Sequence, residues 1–234
     1  MRPKHVIGKE QVAMWGIPDK GPELEFFKFG LNLLLLIATW TLGQLLIMRW
    51  EEKKRVREIS RDMRRQFHEL YGQFKSNVRL WRARGKPIDP RECPDLLERA
   101  VLAEGLVEGL LSDLAALKKL TDDECTALGL FRQGYQTMRQ ALTNKRPESV
   151  PADYDSDPYR LFNNLTPTVS RLVVAITDEP SPEEARKSFD GIIDVRTDGW
   201  DKAVTLTREK RPWSQLIAEI TTLRKKGSKP SEGA

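Results

Sequence analysis

Histidine and cysteine are scarce in this 234-residue chain, which contains only two of each. No CxxC pair and no cluster of cysteine with histidine occurs, so the spacing of known zinc sites is absent from the sequence. Walker A, GxGxxG, HExxH and GxSxG patterns are also missing, and these patterns mark common phosphate-binding and catalytic sites. We therefore expect a non-enzymatic protein without a cofactor or a metal.

The few candidates for nucleophilic or acid–base chemistry lack partners in the sequence. His5 lies in the N-terminal tail, and His68 has no identifiable second group that would orient it as a general base. Cys93 stands at a predicted helix N-terminus, where the helix dipole lowers a thiol pKa. It has no identifiable histidine or asparagine companion, so we do not expect it to be a catalytic nucleophile.

One acidic run resembles half of a calcium-binding loop. Asp153, Asp155 and Asp157 have the spacing of the first three ligands of such a loop. The sixth position is Pro158 where the loop needs glycine, and the twelfth is Asn164 where it needs glutamate. We interpret the run as a solvated loop that leads into a helix. An enzyme with an unrecognised acidic site stays open as an alternative.

Charge is missing from one long stretch, Phe29 to Met48, which we call the apolar segment. Its twenty uncharged residues lie between Lys28 and Arg49. As a helix they would extend about 30 Å, the thickness of the hydrocarbon core of a bilayer. The run begins too late and is too long for a signal peptide, and it ends in charged residues. The sequence therefore predicts one transmembrane helix over residues 29–48.

Basic residues are concentrated on the C-terminal side of the apolar segment. Eight Lys or Arg residues lie between Arg49 and Arg65, whereas five lie before Phe29. Under the positive-inside rule, the side with more Lys and Arg stays in the cytoplasm. We therefore expect a single-pass protein of the cell membrane, with residues 1–28 as a non-cytoplasmic tail and the C-terminal domain in the cytoplasm.

The excess of positive charge is confined to the segment that follows. Residues 49–91 carry fourteen basic and six acidic side chains, whereas residues 92–234 carry twenty basic and twenty-four acidic ones. This pattern suits anionic lipid head groups, to which each nearby Lys or Arg adds about 1 kcal/mol. A nucleic-acid-binding domain would need the excess in the distal region, so we do not expect nucleic acid as a partner. The predicted head-group contacts, here called the basic cluster, are Arg49, Lys53, Lys54, Arg55 and Arg57.

Small and weakly polar residues share one side of the apolar segment. Asn32, Thr39 and Gly43 lie on a stripe with Leu36 and Leu46, at spacings of three and four residues. Membrane helices pack through such stripes, because lipid provides no hydrophobic driving force for association. We predict that Asn32, Thr39 and Gly43 pack against another membrane helix; the alternative is that weakly polar residues are simply tolerated there.

The segment from Trp50 to Arg84 has helical periodicity. It contains no proline and one glycine, and eight apolar residues recur at spacings of three and four. They are Val56, Ile59, Met63, Phe67, Leu70, Phe74, Val78 and Trp81. A mean spacing near 3.6 predicts an amphipathic helix over residues 49–84, continuous with the transmembrane helix. We expect its apolar stripe to pack onto the following domain; a long supercoil is the alternative.

Helix start signals recur in the predicted cytoplasmic domain, residues 92–225. A helix is expected from about Pro94 to Leu120, and Thr121 to Glu124 is a capping box for the next one. Ser181 to Glu184 marks another start.

Further helices are predicted toward the C-terminus. Asp157 is the expected N-cap of a helical stretch that runs to about Thr177, with a break at Thr166-Pro167 as an alternative. Trp213 to Lys225 is expected to form the last helix. Residues 191–207 favour helix or loop, with a β-hairpin turning at Asp198-Gly199 as the alternative. Residues 226–234 are expected to form a disordered tail.

Together these patterns predict a mostly α fold: one transmembrane helix, a long amphipathic helix and a cytoplasmic helical bundle. The function that fits is a non-enzymatic, membrane-anchored adaptor or scaffold that binds an unknown protein partner or itself. The alternative is a membrane-perturbing effector, of the toxin or antiviral-defence type, that oligomerises through its transmembrane helix.

Overall fold

The computed structural model describes residues 22–85, 93–144, 150–175 and 180–227. Across these ranges it contains seven α-helices and no strand, which confirms the mostly helical prediction. The helices are α1 (Pro22–Ala83), α2 (Pro94–Leu117), α3 (Asp122–Asn144), α4 (Asp157–Val174), α5 (Pro182–Ile193), α6 (Thr197–Arg208) and α7 (Trp213–Gly227). Residues 1–21 of the predicted N-terminal tail and 228–234 of the predicted disordered tail lie outside the described residues.

The chain divides into two compact units, Met1–Lys54 and Arg55–Ala234. The described residues of the first unit all belong to α1. The 62 residues of α1 form one continuous helix, as predicted for the apolar and amphipathic segments together. No proline follows Pro22 within this helix, so every later backbone N–H remains available to the helical ladder.

The core of the second unit begins with the amphipathic stripe of α1. Six of the eight predicted stripe residues are 1–4% exposed: Met63, Phe67, Leu70, Phe74, Val78 and Trp81. Val56 is 36% exposed, and Ile59 is partly buried against the core. The stripe therefore packs within the second unit, which agrees with the expected packing on the following domain.

Four aromatic rings form the centre of this core. The Phe162 ring of α4 stacks on Phe74 of α1 at 4.2 Å and on Phe131 of α3 at 5.2 Å between ring centroids. Tyr135, one turn along α3 from Phe131, lies 4.9 Å from Phe74. Gly134 leaves the space that the Phe162 ring fills, because a Cβ at this position would overlap that ring. The α1, α3 and α4 helices are thus joined by aromatic packing.

One prediction about α4 was wrong. The N-cap is Ser156, whose hydroxyl accepts a hydrogen bond from the backbone N–H of Tyr159, so Asp157 is the first helical residue. The break considered at Thr166-Pro167 is absent, because the helix continues through Pro167 to Val174. Proline removes one helical hydrogen bond, but Leu165 and Val169 on either side are fully buried and hold the helix together.

The hairpin alternative for residues 191–207 is excluded by the structure. The stretch forms the end of α5 and most of α6, with Asp198 and Gly199 inside α6. Trp200, Ala203 and Leu206 are at most 2% exposed and follow one another at helical spacing. Burial of this face outweighs the strand preference of the β-branched residues around it.

Both predicted capping boxes are present. At the start of α3, the backbone N–H of Thr121 donates to the Glu124 carboxylate at 2.8 Å, and the backbone N–H of Glu124 donates to the Thr121 hydroxyl at 3.3 Å. Ser181 and Glu184 make the same reciprocal pair at the start of α5. Each capping box provides hydrogen-bond acceptors for backbone N–H groups that have no partner within the helix at its N-terminus.

Charged pairs fix the position of α2 against α3. Arg139 of α3 donates to Glu104 of α2, and Arg132 donates to Glu108 one helical turn away at 2.6 Å. The side chains of Arg132 and Glu104 are each 11% exposed, so the two helices bury most of the charge. Because removing one member would leave its partner charged and poorly hydrated, these pairs favour one register of α2 on α3.

A second polar junction joins α3, α5 and α7. The Arg224 side chain of α7 is 6% exposed and donates to the Gly191 carbonyl at 2.8 Å and to Asp122 at 2.7 Å. Beside it, the Thr126 and Thr221 hydroxyls share a buried hydrogen bond of 2.8 Å. Lys225 and Arg224 lower the pKa of the Asp122 carboxyl through these contacts.

The space at Gly134 gives a test of the aromatic core. Gly134→Ala should lower the free energy of unfolding by about 1–3 kcal/mol, because the new Cβ overlaps the Phe162 ring. The matched control is Gly72→Ala on α1, where no atom lies within 4 Å of the new Cβ. It should raise that free energy by up to about 1 kcal/mol through helix propensity. Urea unfolding of both variants measures the difference, and equal effects would contradict this packing.

Protonation of Glu184 in the α5 capping box should contribute to unfolding of the protein in acid. Lys119 and Ser181 lower the pKa of Glu184 to about 2 from an ordinary value of 4.5. A lowered folded-state pKa means that this stabilisation is complete above about pH 4.5 and is lost as the pH falls toward 2. Glu184→Gln should therefore lower the unfolding temperature by about 2–4 °C at neutral pH and flatten its acid dependence.

The control for this measurement is Glu183→Gln, which removes the adjacent exposed carboxylate and leaves the capping box in place. Thermal unfolding followed by circular dichroism between about pH 2 and pH 7 compares the two variants. Equal profiles for Glu183→Gln and Glu184→Gln would show that the capping box does not contribute to acid sensitivity.

Candidate functional site

The apolar segment is uncovered along its whole length. Its large apolar side chains are 48–69% exposed, and none of its most apolar 18-residue window is buried. By length and composition this one helix, near the N-terminus, could cross a membrane. The thirteen large apolar side chains form one continuous exposed apolar surface. Exposed apolar surfaces of this extent are rare on monomeric soluble proteins and are typical of contacts with lipid or with another protein.

The structure places the three predicted packing residues on α1 at exposed or half-exposed positions. The Thr39 hydroxyl donates to the Leu35 carbonyl one turn earlier, so its hydrogen bond is made within the helix. Gly43 has open space around it, since no atom lies within 4 Å of a Cβ built there. Asn32 is exposed. The segment therefore offers another helix a small residue for close approach and a side-chain amide for hydrogen bonding.

All five members of the basic cluster are exposed. Arg49, Lys53 and Lys54 belong to the first unit, and Arg55 and Arg57 begin the second. In the first unit the Lys54 ammonium lies 5.6 Å from the centre of the Trp50 ring, and that tryptophan is 63% exposed. An exposed tryptophan with a lysine over its face is suited to a membrane–water interface.

The second unit has an exposed apolar surface that sequence analysis missed. We call it the α2 stripe: Leu102, Gly105, Leu106, Gly109, Asp113 and Ala116, all exposed. Leu102 is 59% and Leu106 is 44% exposed, and Val101 beside them is 50% exposed. The sequence does indicate such a surface, because the apolar residues of α2 lie on nearly every side of the helix. A helix of this kind is either covered on all sides or leaves an apolar face exposed.

An open groove of about 460 Å³ adjoins this stripe in the second unit. Its lining combines the apolar side chains of Ile59, Met63 and Leu117 with the carboxylates of Glu58, Asp62 and Asp113. Asp62 accepts hydrogen bonds from Arg65 at 2.7 Å and from Gln66 at 3.1 Å. A surface that combines apolar and charged side chains is typical of contacts with another protein.

The residues considered for chemistry lie apart from these surfaces. Cys93 is the N-cap residue of α2 and is 4% exposed. His68 is exposed on α1, with its ring 5.7 Å from that of Phe67. Asp157 accepts a hydrogen bond from Arg208 at 2.9 Å. Among the described residues, no group of three or more His, Cys, Asp or Glu side chains is arranged to hold a metal ion.

The features available for a functional assignment are therefore an uncovered apolar helix, a basic cluster and an exposed face on α2. Each feature consists of exposed side chains on a helix. No protein family, curated protein or solved structure matches this chain.

Proposed function

We propose that this protein is a non-enzymatic, single-pass membrane adaptor whose helical cytoplasmic domain binds a protein partner or itself. The observation that carries the proposal is the contrast between the two units. The apolar segment has no cover, whereas the second unit encloses its own core of α1 to α7 side chains. A bilayer supplies the missing cover, since lipid tails accept apolar side chains on every face of a helix.

The charges around the apolar segment support an N-out, C-in orientation. Eight Lys or Arg residues follow it by Arg65 and five precede it, and the cytoplasmic side is the more basic side. Members of the basic cluster are exposed and would contact anionic head groups at the inner surface. Trp50 would lie at the same interface, where its ring and N–H both find suitable surroundings.

The α2 stripe and the neighbouring groove support an adaptor role for the second unit. Both features expose apolar side chains beside charged ones on a domain whose core is otherwise closed. Such surfaces are typical of protein contacts. Within the membrane, Asn32, Thr39 and Gly43 would provide a second contact through close helix packing.

Introducing charged side chains into the apolar segment should prevent the protein from staying in the membrane. We expect the full-length protein to stay with membranes during alkaline carbonate washing, and Leu35→Arg with Leu42→Arg to abolish this retention. Each arginine near the centre of a transmembrane helix costs about 2.5–3.5 kcal/mol. The control is Leu223→Arg on α7, where the side chain is already 42% exposed. Release of the unmodified protein by carbonate would contradict the proposed anchor.

Removing the positive charges of the basic cluster should disturb the orientation of the protein in the membrane. Replacing its five residues by glutamine leaves three Lys or Arg residues up to Arg65 against five before Phe29. A C-terminal reporter that works only in the cytoplasm should then lose about half or more of its signal, because the rule favours the more basic side. Arg186→Gln with Lys187→Gln on α5 is the control and should keep full signal. An unchanged signal in the cluster variant would argue against charge-directed orientation.

A growth assay separates the adaptor from the membrane-perturbing effector. Induced expression of an adaptor should leave membrane potential and growth unchanged. Growth arrest with depolarisation that disappears when Asn32, Thr39 and Gly43 become leucine would instead favour the effector, because that change removes the polar packing stripe while keeping the segment apolar.

A further inference from the structure

Two flanks of α1 carry charges of opposite sign over residues 57–66. On one flank lies the groove, which is lined by three carboxylates and, among the described residues, by no Lys or Arg side chain. On the other flank lies what we call the arginine stripe: Arg57, Arg61 and Arg64, at spacings of four and three residues. At about 100° per residue, the stripe points about 165° away from the α1 residues that line the groove. One stretch of helix thus presents two surfaces of complementary charge.

The arginine stripe is open to contact with another molecule. All three of its side chains are exposed, and none has an ion-pair partner among the described residues. An arginine side chain combines an apolar stem with a planar guanidinium, and the guanidinium can donate two hydrogen bonds to one carboxylate. A surface that offers both apolar area and carboxylates is therefore its matching partner.

The groove offers both of these contacts. Ile59, Met63 and Leu117 provide apolar area for arginine stems. Asp113 is exposed and has no ion-pair partner within the described ranges. Asp62 accepts one hydrogen bond at each carboxylate oxygen, and a carboxylate has room for about four. The groove can therefore accept arginine side chains without breaking the contacts that it already makes.

A shared membrane brings the two surfaces of neighbouring copies to one level. Because each copy is held by the same apolar segment, copies with the same orientation place equal residue numbers at equal depth. The arginine stripe covers residues 57–64, and the α1 lining of the groove covers residues 58–66. Two copies side by side therefore need no shift along the membrane normal for the stripe of one to face the groove of the other.

We propose that the groove binds the arginine stripe of a second copy of this chain, with both copies in the same orientation in one membrane. This inference rests on the proposed function, because it names the partner of the adaptor and depends on its membrane anchor. The contact is heterologous, since two different surfaces meet. They lie on opposite flanks of α1, so two copies leave one groove and one stripe open and the assembly continues to a third copy.

Confinement in the membrane compensates for the weakness of a single exposed contact. Exposed ion pairs contribute little on their own and are screened by salt. Copies anchored in the same bilayer remain near one another, so the contact forms at a high effective concentration. The assembly is therefore expected in membranes at concentrations at which the same domains would separate in solution.

Two cysteine variants of the full-length protein, co-expressed with different tags, test the contact. Gln66→Cys places a thiol in the groove lining, and His68→Cys places one a helical turn beyond the arginine stripe on the same flank. Mild oxidation of the membranes should join the two variants to each other and neither variant to itself. Cys93 and Cys125 are buried and stay in all variants. The control pairs Gln66→Cys with Arg186→Cys on α5, where the native side chain is 85% exposed, and should give no crosslink.

Charge reversal tests whether the carboxylates and the arginines make the contact. The copy with the groove cysteine receives Asp62→Arg with Asp113→Arg, and the copy with the stripe cysteine receives Arg61→Asp with Arg64→Asp. Either reversal alone should reduce the crosslink yield at least about fivefold, because like charges then face each other. Both reversals together should restore the yield, since each new arginine faces a new aspartate.

Folding and orientation are checked in the same variants. All four native side chains are exposed, so the thermal unfolding curves should stay unchanged. Removing two of the eight Lys or Arg residues from Arg49 to Arg65 leaves six, against five before Phe29. The cytoplasmic side therefore remains the more basic side, and the C-terminal reporter should keep its signal.

The outcomes separate this proposal from the proposed function. Membrane retention without a crosslink between positions 66 and 68 overturns the contact of groove and stripe and leaves the anchored adaptor standing. Equal crosslinking of either variant to itself, a yield that charge reversal does not change, or joining of Gln66→Cys to a different protein also overturns this contact. Release of the unmodified protein by carbonate washing of the same membranes contradicts the proposed function itself.

Discussion

The cost of leaving apolar side chains in water governs how this chain is organised. Within the single helix α1, residues 29–48 carry no charge and have apolar side chains on every face, whereas those from Val56 onward are apolar on one face only. A helix of the first kind needs a cover on all sides, whereas one of the second kind needs a single partner surface. The second unit supplies that surface for residues 63–81 and leaves the apolar segment bare. The two parts of this helix therefore require different surroundings, which is the basis for the proposal that lipid covers the first part while the folded domain covers the second.

The second unit depends on α3 as its common packing partner. Its apolar side contributes Phe131 and Tyr135 to the aromatic centre, and its polar positions bind α2 through Arg132 and Arg139. The Tyr135 hydroxyl is buried without a hydrogen-bond partner in the described structure, and burial raises the pKa of this phenol far above its usual range. Burial therefore favours the neutral phenol, which packs among the phenylalanine rings without introducing a charge into the core.

The sequence contained the information for helix type and for most helix starts, because those depend on local chemistry. Thr121 and Ser181 begin their helices through a hydroxyl and a glutamate three residues later, and that pattern is visible in the sequence. Ser156 and Asp157 are both good cap residues, and their order was settled only by which side chain could reach the backbone of Tyr159. Pro167 stays inside α4 because of burial on either side, which is a tertiary effect that local propensity does not report.

Surface exposure was the property that sequence could not assign, and α2 shows why. Its apolar residues surround the helix, so periodicity alone did not separate Leu110 and Leu114, which are fully buried or nearly so, from Leu102 and Leu106, which are exposed. A domain that shows a face of this kind in dilute solution risks unspecific association. A face of this kind is typical of surfaces that another protein covers, so the side of α2 that periodicity could not identify is also the side that supports the proposed adaptor role.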